Sequence, residues 1–165
     1  MASRKGIGIT MAILASVVIA SFVVYLIPED TTMKIIVSDF EKYLDITKEK
    51  TSMEVTSIDE SFEKLMEKKT SPDEYIRIAE VSSSQINSLI IELTNSGAAQ
   101  EWYDSYANYI GALKKLNEKI TETIVVANLM SDDSNSNSIN EIIAKIHQLE
   151  TESLDLMKKS DNTRP

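Results

Sequence analysis

The sequence has no cysteine, and its 165 residues include only four glycines, three prolines and one histidine, His147. Without cysteine, neither a disulfide framework nor a thiolate metal site can form. Few glycines and prolines disfavour a turn-rich β-sandwich and a disordered linker. A zinc site at the single histidine would need carboxylates to complete it. Packing alone must therefore hold the fold together.

Charge is absent from one long stretch, the apolar run at 6–27. As a helix this run is about 33 Å long, enough to cross a hydrocarbon core of about 30 Å. Backbone groups inside lipid must be satisfied within the segment, so a helix is expected. The sequence therefore predicts a transmembrane helix at 6–27, between a cytoplasmic stub at 1–5 and a polar collar at 28–32.

Charges flank the run asymmetrically. Arg4 and Lys5 precede it, whereas Glu29 and Asp30 follow it. The positive-inside rule then places the N-terminus in the cytoplasm and the C-terminal domain outside. The run also ends in large residues, from Phe22 onwards, where a cleaved secretory signal would end in small ones. We expect an uncleaved signal-anchor and a single-pass protein of the cell membrane.

Small residues recur every four positions within the run, at Gly8, Ala12, Ser16 and Ala20. Such a stripe lets two helix backbones approach closely in lipid. The four residues are a candidate transmembrane self-association face and predict a parallel dimer. Small residues are also common in membrane spans in general, so this interpretation has an ordinary alternative.

The first residues, Met-Ala-Ser-Arg-Lys-Gly, stand directly before a long apolar helix. Over residues 1–27 this arrangement resembles the class III signal of archaeal pilins and flagellins. The resemblance implies cleavage at the Lys5-Gly6 junction and assembly through the apolar helix. Pilin-like subunits usually carry a β-rich head, which the rest of this chain does not suggest. The layout also resembles short single-pass membrane proteins of ammonia-oxidising archaea, a likeness that implies no particular activity.

Beyond the run, apolar residues recur at steps of three and four, the pattern of one helix face. The sequence predicts four helices, at 33–69, 72–95, 98–131 and 138–160, with a frayed tail at 161–165. Four amphipathic helices joined by short loops bury their apolar faces best as an antiparallel bundle. We therefore expect an all-α fold: one N-terminal transmembrane helix plus an elongated, coiled-coil-like four-helix bundle at 33–160.

Two local patterns support these boundaries. Ser71, Pro72 and Glu74 have the spacing of a capping box with proline at the first helical position. Gly97 follows the second helix, where a residue free to adopt positive φ is typical. In the first helix the seam continues through Thr47 and Thr51 but weakens up to Val55, and Thr51-Ser52 could bend or break the helix there.

All 26 acidic residues follow the apolar run, and so do all but two of the 17 Lys and Arg residues. The part of the chain after the run therefore has a net charge of −11. So acidic a surface argues against nucleic acid as a partner and against binding to anionic lipid. No serine stands in a glycine-flanked nucleophile elbow. The segment after Asp133 opens like a calcium loop but has Ser138 and Ala144 where that loop needs Gly and Glu. We predict no enzyme activity, catalytic residue, metal or cofactor.

The aromatic residues Tyr75, Trp102, Tyr106 and Tyr109 form the candidate ligand face. The last three share one helix face by their spacing, and their polar tips suit a small ligand between helices. Aromatic residues on a helix seam are more often core, and core packing is the favoured interpretation.

We therefore expect a membrane-anchored extracytoplasmic helical interaction or scaffold protein that contacts a protein partner or itself. One alternative is a ligand-sensing bundle, similar in architecture to chemoreceptor sensor domains, which would depend on a partner for its output. Another is a pilin-like subunit that assembles through its apolar helix.

Overall fold

The computed structural model describes Val37 and residues 39–131 and 136–165. These residues form four α-helices and one short 3-10 helix, and no strand occurs among them. The α-helices are α1 (Phe40–Met66), α2 (Pro72–Asn95), α3 (Tyr103–Ser131) and α4 (Ser136–Asn162), with the 3-10 helix at Gln100–Trp102 before α3. The helices pack on one another, which confirms the predicted all-α helical bundle.

Cross-helix hydrogen bonds give the direction of each helix. Tyr75 on α2 bonds to Thr123 on α3. Ser83, which comes later on α2, bonds to Asn117, which comes earlier on α3. Residue numbers thus rise on one helix as they fall on its neighbour, so α2 and α3 are antiparallel. The α3 and α4 helices are also antiparallel, and so are α1 and α2. The four helices therefore have an up-down-up-down order.

The α1 helix is continuous across the segment where its apolar face weakens. Thr47 and Thr51 are both buried, and each hydroxyl donates a 2.8 Å hydrogen bond to the carbonyl four residues earlier. Because the hydroxyls are satisfied within the helix, they can face the core with their methyl groups in the apolar seam. The helix begins at Phe40 with Asp39 as its N-cap, later than the start at 33 that the spacing suggests.

The α2 helix has the ends that its sequence predicts. The Ser71 side chain accepts a hydrogen bond from the Glu74 amide, and Pro72 occupies the first turn. Past the other end, Gly97 adopts a φ of 62°. Within the helix, the spacing of Ile76, Ala79 and Ile86 predicts that Ser83 faces inward, but Ser82 is the buried serine. Ser83 instead donates to the Asn117 side chain of α3 at 2.7 Å.

The α3 helix is the centre of the bundle and buries two faces. The predicted face carries Tyr106, Tyr109, Leu113, Leu116, Ile120, Thr123 and Ala127. A second buried stripe repeats every seven positions and faces α4: Ser105, Ala112, Lys119 and Val126. This second face is absent from the sequence-based interpretation, which gave α3 a single apolar seam.

Small residues of α4 pack against the second buried stripe of α3. Ser153 and Ser160 are completely buried, and the Ser153 hydroxyl donates to the Ala112 carbonyl at 3.0 Å. The Ser105 hydroxyl donates to the Ser160 carbonyl at 2.8 Å. Side chains this small let the two helix backbones lie close enough for direct hydrogen bonds.

The predicted transmembrane helix at 6–27, with its self-association face of Gly8, Ala12, Ser16 and Ala20, lies outside the described residues. Among the helices of the described part, none is both long and apolar enough to cross a membrane.

Candidate functional site

Tyr75, the first residue of the candidate ligand face, lies inside the bundle. Its side chain is completely buried, and its ring centroid is 5.6 Å from that of Phe62 on α1. The hydroxyl donates a 2.6 Å hydrogen bond to Thr123 Oγ1 on α3. Burial raises the Tyr75 pKa well above its usual value of 10, so the side chain stays uncharged.

Trp102 and Tyr106 lie together at the other end of α3. Their rings meet edge to face with centroids 6.4 Å apart, and Phe40 contacts Tyr106 in the same way at 6.0 Å. Trp102 is only half-buried, because it belongs to the 3-10 helix before α3. The Tyr106 hydroxyl donates to the Phe40 carbonyl at 2.8 Å. Burial raises the pKa of Tyr106 to about 12.

The four aromatic residues therefore do not form one surface. Tyr75 contacts α3 at Thr123, seventeen positions from Tyr106, which is about 25 Å along a helix. Trp102 and Tyr106 touch, whereas Tyr109 belongs to a different feature of the bundle. A ligand role for this set stays a prediction.

Tyr109 lines a cavity of about 270 Å³ between α1, α3 and α4, which we call the α1/α4 cavity. Tyr109 and Leu116 of α3 form its floor. Residues of the two outer helices form its walls: Lys48, Thr51, Ser52, Val55 and Thr56 on α1, and Glu150, Ser153, Leu154, Met157 and Asp161 on α4. The cavity exists because α1 packs on α2 and α3 but makes few contacts with α4.

Ion pairs bound the cavity at both ends. At one end Lys48 on α1 pairs directly with Asp161 on α4. At the other end Lys119 of α3 pairs with Asp59 on α1 at 2.8 Å and with Glu150 on α4 at 3.1 Å. The two ends are eleven residues apart on both outer helices, or about 16 Å. The cavity is thus a partly open slot with an ion pair near each end.

Lys119 is the most unusual residue of this region, because only 6% of its side chain is exposed. A buried ammonium is costly unless it is paired, and both carboxylates supply that pairing. Asp59 and Glu150 remain about two-fifths exposed, so each carboxylate stays in contact with water. Sequence analysis missed Lys119 because a lysine in a helix normally indicates a solvent-facing position.

The polar groups along the cavity are mainly hydrogen-bond acceptors. The hydroxyls of Thr51 and Ser153 donate to backbone carbonyls, so each oxygen can act only as an acceptor towards a further partner. Burial raises the pKa of Tyr109 to about 12. The Lys48 ammonium lies 5.3 Å from the centroid of the Tyr109 ring, within cation–π range.

A seven-residue repeat on α3 and α4 offers a sequence signal for this region. Ser105, Ala112, Lys119 and Val126 are spaced by seven, and Ile146, Ser153 and Ser160 repeat with the same period on α4. Such a repeat next to an apolar seam marks a second buried face. The His147 imidazole nearby is exposed and lies 3.8 Å from Glu150. Among the described residues, no group of three or more His, Asp or Glu is arranged to hold a metal ion.

Comparison with known proteins gives no relative: no protein-family model, no curated protein and no solved structure matches this chain.

Proposed function

We propose that the chain is a membrane-anchored, extracytoplasmic helical interaction protein without enzyme activity. The apolar run at 6–27 would supply the anchor, and its flanking charges favour a C-terminal domain outside the membrane. The bundle would then present a rigid acidic surface to a protein partner. Because acidic surfaces attract basic ones, a partner with basic residues around its contact surface is expected.

The outer face of α1 is the observation that carries this proposal. Ile46 and Met53 are 42% and 60% exposed and stand seven residues apart, on one side of the helix. Glu49 and Glu60 flank them on the same side and are also exposed. Exposed apolar side chains within a charged rim have the anatomy of a protein interface, in which apolar anchors are surrounded by polar residues.

Site-specific photo-crosslinking tests this proposal. A photoreactive amino acid at position 53 of the full-length chain, in its native membrane, should give one discrete product containing a second protein. Position 81 on α2 is the matched control, because Val81 is 58% exposed but lies away from this face. Met53→Glu should remove a product formed from a probe at position 46. Equal products from positions 53 and 81, or none from 53, would contradict the proposed face.

The anchor and its orientation need a separate test. Protease added to intact cells should remove a tag at the C-terminus, and protection of the tag until the membrane is broken would reverse the orientation. N-terminal sequencing of the native protein distinguishes the alternatives. Met1 or Ala2 supports an anchor, Ile7 supports the pilin-like subunit, and a start near residue 28 indicates secretion.

The α1/α4 cavity favours a second candidate function, a ligand-sensing bundle that signals through a partner. Its lining combines apolar side chains with a few converging polar groups, the usual composition of a small-molecule site. This function differs from the first in requiring a ligand inside the bundle rather than a protein on the outer face of α1.

A further inference from the structure

We infer that the α1/α4 cavity is a binding site for a small linear organic cation, an amine or quaternary ammonium compound with an apolar chain. The site is separate from the outer face of α1 and does not depend on a protein partner. Three properties of the cavity lead to this class of ligand: its dimensions, the order of groups along it, and its charge.

The dimensions exclude a helix as the occupant. An α-helix with its side chains is about 10–12 Å wide, whereas the cavity has a volume of only about 270 Å³, between ion pairs about 16 Å apart. A narrow molecule with a short chain of carbon atoms suits a slot of this form.

Apolar groups lie in the middle of the slot and charges at its ends. Val55, Leu116, Leu154 and Met157 supply the apolar part of the lining. Leu154 remains 51% exposed, so a ligand chain beside it would remove additional apolar surface from water. This order of groups matches a ligand with an apolar chain and one charged terminus.

The charges around the slot favour a ligand with a positively charged terminus. Asp59, Glu150 and Asp161 are paired with three cations, Lys48, Lys119 and Arg164, so this inner set is balanced. Asp45 and Glu41, which share Arg164 with Asp161, bring the excess of negative charge to two. A cationic ligand would reduce this excess, whereas an anion would increase it.

The protein already holds an ammonium group in this environment. Lys48 Nζ lies over the Tyr109 ring and pairs with Asp161, so a carboxylate and an aromatic face surround one cation. Glu150 at the other end has the same carboxylate chemistry and is partly exposed. It contacts Lys119 and, at 3.8 Å, His147, and it can accept a further hydrogen bond from a ligand ammonium. We therefore place the ligand's charge at Glu150 and its chain towards Met157.

Nuclear magnetic resonance of the full-length chain in detergent micelles tests the site, with ¹³C-labelled methionine methyl groups as the reporter. The Met157 signal, assigned with Met157→Leu, should shift saturably as n-hexylammonium is added. Met66 lies outside the cavity and should not respond. Affinity should increase about fourfold for each CH₂ from butyl- to hexylammonium, as expected for burial of the chain. Hexanoate should bind at least tenfold more weakly than hexylammonium.

Two pairs of variants localise the binding. Glu150→Gln should weaken hexylammonium binding at least about tenfold, because it replaces a charged acceptor by a neutral one. Glu152→Gln on the same helix should not, since Glu152 pairs with Lys115 outside the cavity. Leu154→Trp should fill the slot and prevent binding, whereas Val81→Trp, on exposed α2 surface, should not.

The site is wrong if Met157 shows no saturable shift, or if Leu154→Trp leaves binding intact. Equal binding of hexanoate and hexylammonium, or equal effects of Glu150→Gln and Glu152→Gln, would overturn the cationic class of ligand.

Discussion

The Lys119 ammonium of α3 lies 2.8 Å from a carboxylate oxygen of Asp59 on α1. Lys119 also contacts Glu150 on α4 at 3.1 Å, so one buried cation joins three helices. Because α1 and α4 otherwise contact each other so little, this cation is a principal link between them. Its contribution depends on pairing, since a buried charge stabilises a fold only while its partners remain.

Removing the charge should be far less damaging than removing its partners. Lys119→Met keeps the length of the side chain and eliminates the buried charge, so we expect a change in unfolding free energy within about 1 kcal/mol. The double variant Asp59→Ala/Glu150→Ala leaves the ammonium buried and unpaired and should cost about 3 kcal/mol or more. Urea unfolding followed by circular dichroism measures both. A larger loss for Lys119→Met than for the double variant would contradict this account.

The Tyr75 hydroxyl should contribute a measurable part of the stability. Tyr75→Phe removes the 2.6 Å bond to Thr123 but keeps the ring, and Thr123 retains its bond to the Ile120 carbonyl. We therefore expect a loss of about 1 kcal/mol, the net value of one hydrogen bond. Tyr103→Phe is the control, because Tyr103 is exposed. An unchanged melting temperature in Tyr75→Phe, together with loss of binding to a ligand, would instead support the ligand face.

The buried tyrosines predict that alkaline solution unfolds the bundle. Burial raises the pKa of Tyr106 and Tyr109 to about 12, and it raises that of Tyr75 as well. Above the ordinary value of about 10, the unfolded chain releases protons that the folded chain keeps. Folding stability is therefore fully present below pH 10 and falls as the pH rises towards about 12.

Urea midpoints at pH 9, 10 and 11 measure this effect. The midpoint should fall over the series, and Tyr109→Phe should reduce the slope, because one of the titrating groups is gone. Midpoints that do not change between pH 9 and 11 would show that these hydroxyls are not held uncharged by the fold.

Trp102 and Tyr109 should differ in their contribution to the core, although the sequence places them on one face. Tyr109→Ala removes a fully buried ring and should cost about 3–5 kcal/mol. Trp102 is only half-buried in the 3-10 helix, so Trp102→Ala should cost about half as much. Thermal unfolding of the two variants makes the comparison, and the opposite order would place Trp102 in the core after all.

The sequence was informative where periodicity and caps decide the structure. Thr47 and Thr51 were placed in the α1 seam by spacing alone, and both are buried there. Ser71 and Gly97 were recognised because their chemistry suits the ends of a helix. Each of these predictions depends on a few neighbouring residues, which is the range over which sequence patterns carry information.

The candidate site was harder to predict from the sequence, because it depends on contacts between residues that are distant in the chain. Lys119 is buried only because Asp59, sixty positions earlier, and Glu150, on another helix, accept its charge. The α1/α4 cavity likewise follows from how closely three helices approach, which the volumes of all their side chains determine together. The seven-residue repeat indicates a second buried face on α3, but spacing within one helix identifies neither the partners of Lys119 nor the cavity.

Two glycines of the bundle offer a matched pair of substitutions with opposite expected signs. Gly111 lies within α3, where an added Cβ would meet Leu156 Cδ1 at 3.5 Å, an ordinary van der Waals contact. Gly111→Ala should therefore stabilise the protein by about 0.5–1 kcal/mol, because alanine loses less conformational entropy in a helix. Gly97 has open space around it but a φ of 62°. Gly97→Ala should cost about 1 kcal/mol from the left-handed backbone alone. Chemical unfolding of both variants tests the pair, and a destabilised Gly111→Ala would mean that α3 and α4 pack more tightly there than the 3.5 Å distance indicates.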